Sequence, residues 1–163
     1  MPAMTMTKPA TKAQLAVFLG FVDLISERYG LDRDHAHRLK LVLEEAIVNV
    51  VEHGYATRHE PGDLTLTADV EGDVAMVTLQ DHGRPFGPDD APPPDLDSDW
   101  DQRRVGGLGW HLIRELTDAV AYHPGDAGGG RPNILTLRVR SARPHGAGPH
   151  GAGPEGAPRG GAA

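Results

Sequence analysis

Apolar residues between positions 11 and 29 fall at Leu15, Phe18, Leu19, Val22 and Ile25, the three- and four-residue spacing of an amphipathic helix, and Gly30 predicts its end. A second helix is expected from Asp32 or Asp34, either of which can cap it, to about Glu52, with Gly54 as its stop. Two later runs alternate with a period of two. Residues 63–70 set Leu64, Leu66 and Ala68 against Thr65, Thr67 and Asp69. Residues 74–79 follow after the turn pair Gly72-Asp73, so the two runs predict a β-hairpin. A third helix is expected over 108–120, with Leu112, Ile113, Leu116 and Val120 on one side, and a last strand over 133–140. Helices mixed with antiparallel strands predict an α+β domain covering 11–140. Residues 1–10 read as a loose leader. Residues 87–106 form a long segment rich in proline and acid, of the kind that is functional or mobile. Residues 141–163 hold PHGAG twice and then PEGAP, have almost nothing to bury, and predict a disordered tail.

Length and charge narrow the function classes. The 163 residues suit one domain with a real core. Sixteen Lys and Arg stand against 23 Asp and Glu, a formal charge of −7 with no basic block, which disfavours nucleic acid or an anionic membrane as the main partner. A nucleotide is still accommodated, because backbone amides and a metal ion can hold phosphate on an acidic protein. The absence of cysteine excludes disulfides, thiolate metal sites and a cysteine nucleophile. The apolar stretch at 15–25 is interrupted by Gly20 and Asp23 and falls short of the roughly 20 residues a bilayer requires. No small-residue cleavage site follows it, so a cytoplasmic protein is expected.

Three local features carry candidate chemistry. On the second helix, Glu45 and Asn49 are four residues apart and share a face with Glu52, a polar strip on an otherwise apolar helix. A carboxylate beside an amide can take a proton from a hydroxyl nucleophile while the amide oxygen ligates a hard cation such as Mg²⁺; the plain alternative is a solvated strip. Strand 74–79 runs into Asp81-His82-Gly83-Arg84-Pro85-Phe86, where the Asp81 carboxylate could accept a hydrogen bond from the exocyclic amine of adenine and Gly83 would let a flat ligand approach. Taken alone, that pattern is also an ordinary turn. Gly106-Gly107-Leu108-Gly109 opens the third helix and exposes backbone N–H groups suited to phosphate, or else forms a simple hinge. Neither a Walker-type loop nor a dinucleotide fingerprint is present. Trp110 reads as packing, Trp100 as a lid or partner contact, and His145 and His150 as tail residues.

In this order, E-x-x-x-N, D-x-G-x-P-F and G-x-G resemble the N, G1 and G2 boxes of the GHKL ATPases. More narrowly, residues 45–55 (EAIVNVVEHGY), 107–114 (GLGWHLIR) and 133–137 (NILTL) look like the anti-sigma-factor serine/threonine kinases of the RsbW type. The resemblance implies a Bergerat two-layer sandwich, with helices on one face of a mixed, mainly antiparallel sheet. It implies ATP and Mg²⁺ as ligands, with Glu45 as general base, Asn49 as the Mg²⁺ ligand and Asp81 as the adenine anchor. His53, Gly83, Gly106, Gly107, Leu108, Gly109 and Thr136 would line the nucleotide, with 87–106 as a lid. The implied partners are a STAS-type anti-sigma-factor antagonist, a sigma factor and a second copy of the chain. Some relatives carry an Arg between the G2 glycines; here Arg103 and Arg104 lie just upstream instead. Two other readings stay open, a non-catalytic ATP-gated binding module and the catalytic fragment of a sensor histidine kinase.

Overall fold

The computed structural model describes residues 2–93, 108–126 and 128–141. Five strands form one sheet in the order β1-β2-β3-β5-β4, and every described pairing is antiparallel. The strands are β1 (Met4–Pro9), β2 (Asp63–Glu71), β3 (Val74–Asp81), β4 (Ala119–His123) and β5 (Asn133–Arg140). Helices α1 (Leu15–Tyr29), α2 (Arg33–Asn49) and α3 (Gly109–Leu116) pack on one face. Strand alternation makes the core: Leu64, Leu66 and Ala68 of β2, Ala75, Val77 and Leu79 of β3, and Leu135, Leu137 and Val139 of β5 meet Phe18, Val22, Ile25, Leu39, Leu43 and Ile47 of the helices. The opposite face carries threonines in cross-strand register, Thr7 with Thr65 at 2.9 Å and Thr78 with Thr136 at 3.4 Å.

The helix ends follow their local chemistry. Gly30 closes α1 in the left-handed conformation (φ 68°), and Asp32 caps α2 by accepting the His35 N–H at 2.8 Å. Ser141 also donates to the Asp32 carboxylate, which, with the His35 bond, holds its pKa below the ordinary value. The buried His35 ring nitrogen lies 2.7 Å from the Val139 carbonyl oxygen, tying the start of α2 to β5. At its other end α2 continues into a wider, π-type turn over Val50–Gly54, a local unwinding that re-aims the side chains after Asn49.

Two sequence expectations are corrected. Residues 1–10 are not wholly a loose leader, since Met4–Pro9 form an edge strand on β2 whose Met4 and Met6 cover the core. The third helix does not reach Val120. It stops at Leu116, where the Thr117 hydroxyl donates to the Ile113 carbonyl at 2.6 Å and the Thr117 backbone turns extended. The chain then forms β4, so Val120 and Tyr122 join the core from a strand. Most of the expected lid (94–106), the tail from 142 on, Trp100, Arg103, Arg104, His145 and His150 lie outside the described residues.

Candidate functional site

The register of β3 on β5 builds the centre of the site. Asp81 ends β3 directly opposite Asn133, which starts β5, and both side chains are buried. Asn133 Nδ2 donates to Asp81 Oδ1 and to the Gly83 carbonyl, each at 3.0 Å, while its Oδ1 accepts the Gly125 N–H at 2.8 Å. Two acceptors on one side and a backbone donor on the other allow only this amide orientation. The Gly83 N–H also donates to Asp81 Oδ1, at 2.8 Å. Both of these bonds fall on Oδ1, and Asp81 lines the cleft. Burial raises the Asp81 pKa above its ordinary value, partly offset by the Asn133 and Gly83 hydrogen bonds.

The loop after β3 is clamped to the end of α2. The Arg84 N–H donates to the Gly54 carbonyl at 2.7 Å, and the Tyr55 hydroxyl accepts the His82 N–H at 2.9 Å while donating to the Asp63 carbonyl at 3.1 Å. Gly83 is essential to that clamp. A Cβ there would stand 2.7 Å from the Gly54 carbonyl carbon and oxygen, so the missing side chain lets the two backbones pack together. Gly83→Ala should therefore destabilise the fold by about 1–3 kcal/mol or more, measured by denaturant unfolding. An unchanged midpoint would show that the two backbones part easily.

The cleft above Asp81 and Asn133 is lined also by Asn49, Phe86, Trp110 and Tyr122. Phe86 and Tyr122 ring centroids lie 6.5 Å and 6.4 Å from that of Trp110, and the Phe86 N–H donates to the Tyr122 hydroxyl at 3.0 Å. The free volume is about 20 Å³, room for a water molecule but not for a purine, so a base enters only if this aromatic lining moves. His53 stacks on the far side of Phe86, with ring centroids 3.9 Å apart, and lines a neighbouring cavity of about 350 Å³ with Glu52, Arg84 and Asp90.

Glu45 and Asn49 meet the start of α3. A Cβ on Gly109 would lie 2.8 Å from Glu45 Oε2 and 3.6 Å from Asn49 Oδ1, so only glycine lets the helix terminus come this close. Leu108 occupies the cap position of α3. Glu45 is half-buried, and burial, then the charges of Glu44 and Glu52, raise its pKa above the ordinary value. Glu52 itself faces outward in an ion pair with Lys12 at 2.9 Å. Among the described residues, Asn49 is 9% exposed with no partner for its Nδ2, and Trp110 is 5% exposed with none for its Nε1. Each buried donor left in that condition costs about 1–3 kcal/mol, and two of them line this one cleft.

The structure thus brings together Glu45, Asn49, Asp81, Leu108 and Gly109, with His53 one aromatic ring away. Gly106 and Gly107 lie outside the described residues. Thr136 is a correction. Strand alternation turns it to the open face of the sheet, where it pairs with Thr78, and leaves Asn133 and Leu135 in the cleft. Phe86 and Asn133 lie inside the motifs read from the sequence but carry no role there, and Tyr122 goes unnamed, although a polar Asn opening a strand is a readable signal. Among the described residues no cluster of three or more His, Cys, Asp or Glu could hold a metal, and no helix is long and apolar enough to cross a membrane. A lone Asn beside a helix N-terminus suits Mg²⁺, which commonly takes one or two protein ligands and completes its shell with substrate phosphates and water.

Residues 8–139 match the family model of the histidine kinase-like ATPase domain. The chain is 33% identical over 113 residues to the serine-protein kinase RsbW of Listeria monocytogenes, covering 66% of this chain and 71% of that one. It is 26% identical over 122 residues to the serine-protein kinase RsbW of Staphylococcus aureus, covering 72% and 77%. The crystal structure of the RsbU and RsbW domains of Rv1364c from Mycobacterium tuberculosis shares the fold, with a TM-score of 0.60 at 21% identity. That likeness covers 88% of this chain but only 34% of the other.

Proposed function

The chain belongs to the histidine kinase-like ATPase domain family, and on that premise we propose that it is an ATP-dependent serine/threonine protein kinase of a partner-switching system. Its substrate is a STAS-type anti-sigma-factor antagonist, and a sigma factor competes for the same kinase. The observation that carries this reading is the approach of Glu45 and Asn49 to the start of α3. It sets a carboxylate of raised pKa beside the first-turn N–H groups of α3, which have no partner within the helix, so a base and an anion site share one spot.

In this reading Asp81 accepts a hydrogen bond from the adenine amine, held in its acceptor form by Asn133 and Gly83. The N–H groups at the start of α3 take phosphate oxygens. Asn49 supplies the ligand for Mg²⁺, which when bound neutralises charge on the phosphates. Glu45 takes the proton from the substrate hydroxyl as that oxygen bonds to the γ-phosphorus and the bond from phosphorus to the ADP oxygen breaks. ADP and a phosphoserine or phosphothreonine are the products. The relatives named serine-protein kinases support the acceptor class. Incubation with labelled ATP and a STAS-type antagonist should give an acid-stable phosphoprotein. An acid-labile product would point to histidine as acceptor, and ATP-dependent antagonist binding without any product would point to a non-catalytic module.

A further inference from the structure

Trp110 looks at first like a core residue, packed between Phe86 and Tyr122. Its chemistry is inconsistent with a purely structural part. The indole N–H is a donor only, the residue is 5% exposed, and no acceptor in the described protein reaches Nε1. A phenylalanine or leucine would fill the same space without stranding a donor. Trp110 also lines the cleft that holds Asp81, Asn49 and Asn133, and its own backbone sits at the second residue of α3. Another unpartnered buried donor among the described residues, Asn49 Nδ2, belongs to a residue that lines the same cleft.

We propose that Trp110 is a nucleotide-contacting residue, whose indole N–H donates to an oxygen of the ribose–phosphate part of the bound nucleotide. This rests on the nucleotide reading above and adds a specific contact to it. The cleft is too small for a purine as it stands, so admission of the base shifts the Phe86–Trp110–Tyr122 lining. Trp110 thereby exchanges an unsatisfied N–H for a satisfied one, and the aromatic lining couples opening of the cleft to recognition of the ligand. The base end, held by Asp81 and Asn133, leaves the sugar and phosphates on the side of Asn49 and α3.

The test uses the full chain with ¹⁵N-labelled tryptophan, whose two indole resonances belong to Trp100 and Trp110 and are assigned with Trp110→Phe. On titration with ATP the Trp110 indole proton should move downfield and saturate in step with calorimetric binding. Trp110→Phe keeps the ring packing and should weaken ATP about five- to tenfold, the loss expected for one hydrogen bond, with an unchanged melting temperature. Adenine alone should bind the variant and the wild type equally. Wild-type binding of ATP with an unmoved Trp110 resonance and unaltered affinity of Trp110→Phe overturns this proposal alone. Failure of the wild type to bind ATP at all overturns the nucleotide reading as well.

Discussion

Glu45→Gln is expected to lower phosphoryl transfer by about 10²- to 10⁴-fold, the usual contribution of a positioned general base, while ATP affinity changes little. Gln matches Glu in size, so the close packing against Gly109 survives and only the proton acceptor is lost. The pH dependence follows from the raised pKa. Burial and the neighbouring Glu44 and Glu52 disfavour the charged form of Glu45, and the base must be ionised to act. The rate should therefore fall as pH drops through a pKa above the ordinary value of 4.5, and that limb should vanish in the variant. Single-turnover transfer measured against pH checks both points. Undiminished transfer by Glu45→Gln would remove Glu45 from the role.

Asp81→Asn is expected to weaken ATP by about 10- to 100-fold, the effect of leaving a buried donor facing a donor. The new amide would keep its oxygen towards Asn133 Nδ2 and the Gly83 N–H, since both are donors. Its own nitrogen would then point into the cleft, where the adenine amine also donates. The same change should improve binding of a 6-oxo purine nucleotide relative to ATP, because the purine oxygen accepts the N–H that the introduced amide offers. Competition between ATP and ITP, read by displacement of a fluorescent nucleotide, measures the switch. Lowering the pH towards the raised Asp81 pKa should imitate the substitution in the wild type, because the protonated acid is a donor as well. Equal losses for both nucleotides would mean that Asp81 acts through the fold alone.

What the sequence made legible was local. The β2–β3 hairpin follows from period-two alternation and a Gly at positive φ in its turn, and α1 ends at Gly30 for the same conformational reason. The pairing of Glu45 with Asn49 is helix arithmetic, and Asp81 announces itself as a carboxylate at a strand end. What escaped was set by partners distant in the chain. Met4 and Met6 alternate with Thr5 and Thr7, a strand signal, yet only the edge of β2 makes it a strand. Val120 continues the apolar spacing of α3, and the break depends on how Thr117 bonds back to Ile113. Asn133 meets Asp81 across 52 positions of sequence through the β3–β5 register, which no local pattern encodes. The same register sends Thr136 to the wrong face for the role the family resemblance gave it. The close contact of Gly83 with Gly54 likewise joins the loop after β3 to the end of α2, a pairing that no local pattern announces.

Everything functional here depends on the cleft between α2, α3 and the β3–β5 pair being a nucleotide site. Calorimetric titration of the purified protein with ATP, with and without Mg²⁺, tests that directly when run beside Asn49→Ala. Saturable binding that tightens with Mg²⁺ in the wild type, and loses that Mg²⁺ dependence in Asn49→Ala, is the predicted result. No binding at millimolar ATP, or identical Mg²⁺ dependence in both proteins, would contradict the assignment.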